Sequence, residues 1–352
     1  MADCEKTTDF YALSDADKAR RLRPLVERAL GLWNMTGASY SLIKMRENAV
    51  FGLVLRDGSR AVMRVHRAEY HTDDELRSEL EWMRALDAYG VHTPAVIPAA
   101  DGNLFKVVAD PQVPEPRQVD VLAWVAGTKS GTIEHGVGEL EQAISNYRLV
   151  GQLLARMHDF YDQWDAPPGF TRHAWDVEGL LGEQPWWGRF WESTLLDEQQ
   201  RGRLLLAREQ ARADLESYGR GADRYGLIHA DPLPENILVG DDDTAHVIDF
   251  DDGGYGWHLF DFATALFFVL GEGHFDDLCA ALFEGYEQVR PLPPETNAML
   301  PLFLLLRGFT YLGWVHSRSE TDTAKQLGPA LVVGLMSLVE EYLSSRKSPE
   351  DA

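Results

Sequence analysis

The sequence predicts an α+β chain in two parts, an antiparallel-sheet N-terminal lobe followed by a mostly helical lobe. Three observations carry this. Strand-like runs at Ser39–Met45, Ala49–Leu55 and Arg60–His66 follow one another across short polar turns, as in an antiparallel meander. Beyond residue 138, long helical patterns dominate, at 138–159, 275–286, 298–316 and 325–343. Between them stands a stretch of another kind, Leu227–Asp252, where short apolar strands end in polar groups.

The elements follow in order. Ser14 caps an expected first helix, whose apolar positions Leu22, Leu25, Val26, Ala29 and Leu30 recur at helical spacing up to Gly31. Arg46-Glu47-Asn48 and Arg56-Asp57-Gly58-Ser59 supply the turns between the three strands. A G-x-G-x-x-G loop is missing, since the first turn carries only Gly52. Arg64 lies on the third strand, and the helix expected over 71–86 places Glu79 to pair with it. A guanidinium there has a fork that can grip phosphate oxygens. The competing reading is a surface strand residue beside Arg60 and Arg67. After a turn at Asp101-Gly102-Asn103 and another strand, the Pro-rich run 109–118 is an exposed connection. Val119–Val125 then reads as a strand that closes the first lobe, which sets the domains at 1–125 and 126–352.

In the second lobe, His158 ends the 138–159 helix as a capping or core histidine without a catalytic role. The segment 160–190 interleaves Trp164, Trp175, Trp186 and Trp187 with Asp162, Asp165, Asp176, Glu178 and Glu183. Aromatic faces with carboxylates suit an ammonium-bearing ligand, and simple packing is the alternative. Residues 195–215 read as a polar, solvated connecting helix.

The stretch Leu227–Asp252 carries the chemistry. It delivers Asp231, Asn236 five residues on, and Asp249 thirteen beyond that, with Ile237–Val239 and a Gly-Asp turn making a hairpin between them. One proton acceptor and two oxygen ligands for a hard cation such as Mg²⁺ result. The spacing matches the H-x-D-x-x-x-x-N loop and following metal-binding Asp of kinases. A metal-dependent phosphohydrolase needs several His ligands, and His246 faces away from Asp249 by strand parity.

On His229, Asp231, Asn236 and the run Val247–Asp252, continued by GYGWHLFDFATALFF, the chain resembles the aminoglycoside phosphotransferase and choline kinase superfamily. It departs at Pro232-Leu233, where that family usually has Leu-His. The resemblance implies a bilobal protein-kinase-like fold, with ATP and Mg²⁺ as cofactors. It implies Asp231 as the catalytic residue, Asn236 and Asp249 as metal ligands, and Arg64, oriented by Glu79, on the α/β-phosphates where the family usually has a Lys. The hinge falls at Trp124-Val125, whose backbone would bond the adenine edge, and Asp261 would hold the catalytic loop. Asp251 and Asp252 fall either to a second metal or to the substrate's cationic group, with Trp186 and Trp187 as further substrate candidates. The expected reaction moves the γ-phosphoryl group of ATP to a hydroxyl of a small cationic molecule. An aminoglycoside-like antibiotic, an amino alcohol or a hydroxy amino acid such as homoserine would fit. The alternatives are a bacterial stress-response protein Ser/Thr kinase and an inactive nucleotide-binding module.

Composition sets the remaining bounds. The 352 residues, 45% apolar and 25% charged, leave room for two cores. Cys4 and Cys279 are too few for a disulfide framework, which points to a reducing compartment. No signal peptide is evident, and the apolar run Pro301–Val315 is broken by Arg307 and too short to span a bilayer. A cytoplasmic protein without a membrane partner is therefore expected, of open oligomeric state. The net charge of −23 argues against nucleic acid. From Gly226 to Val289 there are fourteen acidic residues and no Lys or Arg, a field that attracts cations or, on the blander reading, aids solubility.

Overall fold

The computed structural model describes residues 10–45, 48–131, 136–242 and 244–346. Cys4, the turn residues Arg46 and Glu47, Asp243 and the tail from 347 on lie outside the described residues. The chain divides into two compact units, Met1–Ala126 with Ala166–Thr171, and Gly127–Asp165 with Arg172–Ala352.

In the first unit, helix α1 (Asp15–Leu32) starts where Ser14 accepts the Asp17 N–H at 3.2 Å. Strands β1 (Ser39–Met45), β2 (Ala49–Val54) and β3 (Arg60–Val65) form the meander. Helix α2 (Asp73–Tyr89) begins later than the sequence suggests, because Thr72 and Glu75 close a capping box, and Gly90 ends it at φ 94°. Strands β4 (Phe105–Val108) and β5 (Arg117–Ala123) complete an antiparallel sheet of order β1-β2-β3-β5-β4. Alternation along the strands sends Phe51, Leu53, Met63, Val119 and Val121 into a core with Leu25, Val26 and Ala29 of α1. The opposite parity carries Arg64, and the register sets Asp120 directly across from it.

The second unit opens with β6 (Thr128–Lys129), α3 (Leu140–Gln163), β7 (Ala174–Trp175), α4 (Val177–Leu181) and α5 (Glu198–Tyr218). Then come β8 (Tyr225–Ile228), β9 (Ile237–Val239), β10 (Ala245–Val247) and β11 (Gly254–Trp257). Helices α6 (His258–Leu266), α7 (Phe275–Glu287), α8 (Thr296–Ser317) and α9 (Asp322–Ser344) complete it. Two small sheets, β10-β9-β6 and β7-β11-β8, hold the loops that carry the polar groups. Helices α3 and α7 cross so closely that a Cβ on Gly151 would fall 2.1 Å from the Leu282 carbonyl oxygen, and one on Gly285 2.0 Å from that of Arg148.

Two sequence expectations are corrected here. Helix α5 is not a solvated connector, since Leu204, Ala207, Ala211 and Leu215 are buried and Arg203 bonds Glu340 of α9 at 2.7 Å. Helix α8 is not too short to span a bilayer: at 22 residues it, like α9, is long and apolar enough. Its sides are instead covered by neighbouring elements of the unit, and its buried residues run from Leu302 through Val315.

Candidate active site

The loop that carries Asp231 leaves β8 at Ile228 and is held from both sides. Asp261, fully buried near the start of α6, accepts the His229 N–H at 3.1 Å and the Ala230 N–H at 2.7 Å. The Ala230 carbonyl accepts from Thr264 Oγ1 and from Arg307, each at 3.2 Å. These four bonds fix Ala230 at φ +63°, a left-handed conformation that costs a non-glycine residue of order 1 kcal/mol or more. The turn they stabilise presents the Asp231 side chain. His229 braces the same loop: its Nδ1 accepts the Asp231 N–H at 3.3 Å, so its Nε2–H donates to the Ile248 carbonyl at 3.1 Å. That second bond ties the loop to the far strand of the hairpin.

Asp261 is itself supported by His158, the α3 histidine, at 3.1 Å. Burial, then nearby Arg290, hold His158 neutral, so its Nε2–H donates to Asp261 while its Nδ1 accepts the Tyr286 hydroxyl at 3.0 Å. Burial pushes the Asp261 carboxyl up to about 6, against the pull of His229, the two loop amides and Arg307.

The Asp231 carboxylate is bound through both oxygens. Oδ1 accepts from Arg307 Nη2 at 2.7 Å, and Oδ2 from Asn236 Nδ2 at 3.0 Å. The same Asn236 amide also donates to the Asp231 carbonyl at 2.9 Å. With its nitrogen committed in this way, Asn236 keeps Oδ1 as an oxygen donor. Asp249 sits just past β10 at φ +70°, and the β9–β10 pairing of Val247 with Ile237 brings its strand end alongside Asn236. Among the described residues, no hydrogen bond engages the half-buried Asp249 carboxylate. A carboxylate without a protein partner and an amide oxygen, side by side on a hairpin, are the hard donors that Mg²⁺ or Ca²⁺ takes, so the residues fit a divalent cation.

Beyond Asp249 the loop is gripped by the segment after residue 171. Arg172 donates to the carbonyls of Gly253 at 2.6 Å, Asp251 at 2.7 Å and Phe250 at 3.2 Å. Trp175 Nε1 donates to the Asp252 carbonyl at 2.8 Å, and Trp187 Nε1 to Asp252 Oδ1 at 3.3 Å. The two candidate tryptophans therefore part company. Trp187 belongs to the Asp231–Arg307 cluster, with the Arg307 guanidinium 4.9 Å from its ring centroid. Trp186 is exposed, packs on His173 and donates to the Ala174 carbonyl. Asp251 is buried, whereas Asp252 is half-buried beside Arg307, whose charge it supports.

In the first unit, Arg64 meets Glu79 as expected, Nη1 to Oε1 at 2.9 Å. It also makes a bidentate pair with Asp120, at 2.9 and 2.8 Å, and His66 Nε2 reaches the same carboxylate at 2.6 Å. Burial alone would raise the Asp120 carboxyl, but Arg64 and then His66 pull it down to about 2. The strand β5 stops at Ala123, short of the expected Val125. The Trp124 N–H donates to the Arg60 carbonyl at 3.4 Å, and the Arg60 guanidinium stacks 3.4 Å over its ring. The Val125 amide has no hydrogen bond among the described residues.

The model of the phosphotransferase enzyme family matches residues 42–293 of this sequence. The chain belongs to that family. A microcompartment-associated aminopropanol kinase superposes on this phosphotransferase with a TM-score of 0.81 and 33% identity, covering 92% of this chain and 98% of that one. An amicoumacin kinase, solved in complex with AMP-PNP, Ca²⁺ and Ami, gives a TM-score of 0.75 at 19% identity over 96% and 98% of the two chains. A homoserine kinase of Phenylobacterium zucineum (strain HLK1) is 29% identical over 267 residues, 73% of this chain and 72% of that protein. The chain is thus an ATP-dependent phosphotransferase of kinase-like fold, with a hydroxyl group as acceptor.

The reading of the sequence missed Arg307 as part of the site and Asp120 as partner of Arg64. Arg307 left a signal: a lone cation inside an apolar helix is costly to bury unless a carboxylate meets it. Asp120 left none, because a cross-strand neighbour fifty-six residues away is visible only in the register.

Proposed function

We propose that this phosphotransferase moves the γ-phosphoryl group of ATP to the hydroxyl of a small amine-bearing alcohol, a short amino alcohol or a hydroxy amino acid. The observation that carries the reading is the Asp231 carboxylate, set on a strained loop and held between Arg307 and Asn236 while Asn236 Oδ1 and Asp249 are left as cation ligands. The acceptor oxygen forms its bond to the γ-phosphorus as the bond to the β,γ-bridging oxygen breaks, and ADP leaves. Asp231 orients the acceptor hydroxyl and takes its proton as that bond forms. Asn236 and Asp249 would hold Mg²⁺, which would supply positive charge against that of the phosphates. We assign Arg64, held by Glu79 and Asp120, to the phosphates, and the Val125 backbone to the adenine edge.

The amine half of the proposal rests on charge and on relatives. Asp231 and Asp252 act on Arg307, and Glu235 acts on the neighbouring Tyr311, so three carboxylates gather around this guanidinium. Aminopropanol and homoserine, which the two relatives' names specify, each pair an amine with a hydroxyl. Trp187 and Asp252 are the residues we assign to the ammonium group. ADP release across a panel of hydroxylated amines and their N-acetylated counterparts tests this. We expect turnover with free amines only, and a kcat/KM that falls with salt as screening sets in within ~8 Å. Preference for a neutral or anionic acceptor would remove the amine from the proposal.

A further inference from the structure

Arg307 stands in the middle of α8, fully buried in a largely apolar helix. Its guanidinium is boxed by the rings of Tyr311, Trp187 and Phe260, at 4.1, 4.9 and 5.4 Å. Its Nη2 donates to Asp231 Oδ1 and to the Tyr311 hydroxyl, its Nη1 to the Ala230 carbonyl, and its Nε finds no acceptor. A Leu or Met would fill such a position at lower cost, since an isolated pair gains little over good apolar packing when buried. What the arginine does that an apolar residue cannot is reach the one carboxylate placed to face the acceptor. The Asp261 and Thr264 bonds already hold the loop backbone without it.

We propose that Arg307 is a positioning residue for phosphoryl transfer: it fixes the Asp231 carboxylate through Oδ1, so that Asp231 directs the acceptor hydroxyl along one line. The proposal rests on the assignment of Asp231 to the acceptor hydroxyl. The bonds to the Asp231 carboxylate come from Arg307 on α8 and from Asn236 on its own loop. A carboxylate that loses the Arg307 bond is freed to rotate and loses the near-attack geometry, and misplacement by about 1 Å costs on the order of 10²-fold in rate.

The test is kcat and the KM for ATP in Arg307→Met and Arg307→Lys. Arg307→Met is expected to lose ~30- to 100-fold in kcat with the KM for ATP within ~2-fold. Arg307→Lys restores a charged donor but not the fork, so it should recover part of the rate. Arg307→Met with turnover within threefold of wild type overturns the proposal. Should Arg307→Met fail to fold, it is made in the Asp231→Asn background, where no carboxylate awaits it. Rescue of folding there supports the pairing, and failure to rescue assigns Arg307 to packing alone. The Asp231→Asn variant separates the two levels. If it is inactive while Arg307→Met is normal, only this inference falls; if it is fully active, the assignment of Asp231 falls with it.

Discussion

Asp231→Asn exchanges one heavy atom and, on this geometry, changes two properties. The asparagine keeps the size of the side chain and one acceptor, but its new NH₂ group must face either Arg307 Nη2 or Asn236 Nδ2, both donors. One of the two bonds is lost. If the loss falls on Arg307, a guanidinium with no exposure is left without its carboxylate. Stranding one member of a buried pair costs about 3–5 kcal/mol, and a charge-assisted hydrogen bond about 1.5–3 kcal/mol. The Asp231 side chain is 17% exposed, so water relieves part of this and about 3 kcal/mol is the working figure. In a unit of this size that corresponds to a fall in Tm of ~6–12 °C. Turnover should fall by ~10²-fold or more, because the amide cannot take the acceptor proton. Nucleotide affinity should survive. Thermal unfolding, calorimetric ATP binding and ADP release on the best acceptor measure the three quantities. Wild-type turnover would refute the mechanism, and an unchanged Tm would refute the pairing with Arg307.

Three further outcomes follow from the same contacts. Asp249→Ala should lower cation-dependent nucleotide affinity at least ~10-fold while shifting stability by under ~1 kcal/mol, because among the described residues no hydrogen bond engages that half-buried carboxylate; an affinity unaffected by EDTA or by the substitution would remove Asp249 from the metal site. Arg64→Lys should raise the KM for ATP and lower Tm, since a point charge cannot meet Glu79 and chelate Asp120 together; a stability equal to wild type would contradict the buried fork. Asp261 makes stability depend on pH in an unusual sense. Its folded value of about 6 lies above the unfolded ~3.9, so the native state binds the proton more tightly and this group's contribution falls as pH rises from ~4 to ~6, by about 3 kcal/mol. Relative to Asp261→Asn, the wild-type Tm should therefore drop across that window, and parallel pH profiles would show that Asp261 titrates normally.

Much of this architecture is legible in the residues because it follows from local rules. The meander at Ser39–Val65 shows in its alternation and turns, and the long helices in their apolar period. The polar groups Asp231, Asn236 and Asp249 are marked by spacing alone, and the fold brings the first two into direct contact. What spacing leaves open is which third group completes each cluster. Arg64 needed β5 in register to receive Asp120, and Asp231 needed α8, seventy-six residues on, to receive Arg307. Trp187 illustrates the same limit from the other side. Aromatic faces beside carboxylates signal a cation, and spacing does not show that a cation of the protein itself, Arg307, already lies 4.9 Å from that ring beside any place left for a ligand. The polar look of residues 195–215 misleads for a related reason: only a narrow stripe of that helix is apolar, and Ala207 and Ala211 bury well without raising its apolar content.

The balance of forces at the catalytic loop explains why so many polar groups are spent there. Two non-glycine residues, Ala230 and Asp249, sit at positive φ on the two strands' exits. Such conformations cost of order 1–3 kcal/mol each, with Asp at the low end because its side chain tolerates the left-handed region. Against the strain at Ala230 stand two amide bonds to the Asp261 carboxylate and two donors on the Ala230 carbonyl, one of them a guanidinium. At roughly 1 kcal/mol for a neutral hydrogen bond and 1.5–3 kcal/mol for one to a charged group, the restraints exceed the strain by several kcal/mol. The loop therefore holds its shape before any ligand arrives. Asp231 inherits that rigidity through Oδ1 and Oδ2; on the proposed reading the acceptor hydroxyl would meet a carboxylate already aimed, with the ordering cost of transfer met in folding rather than at the moment of reaction.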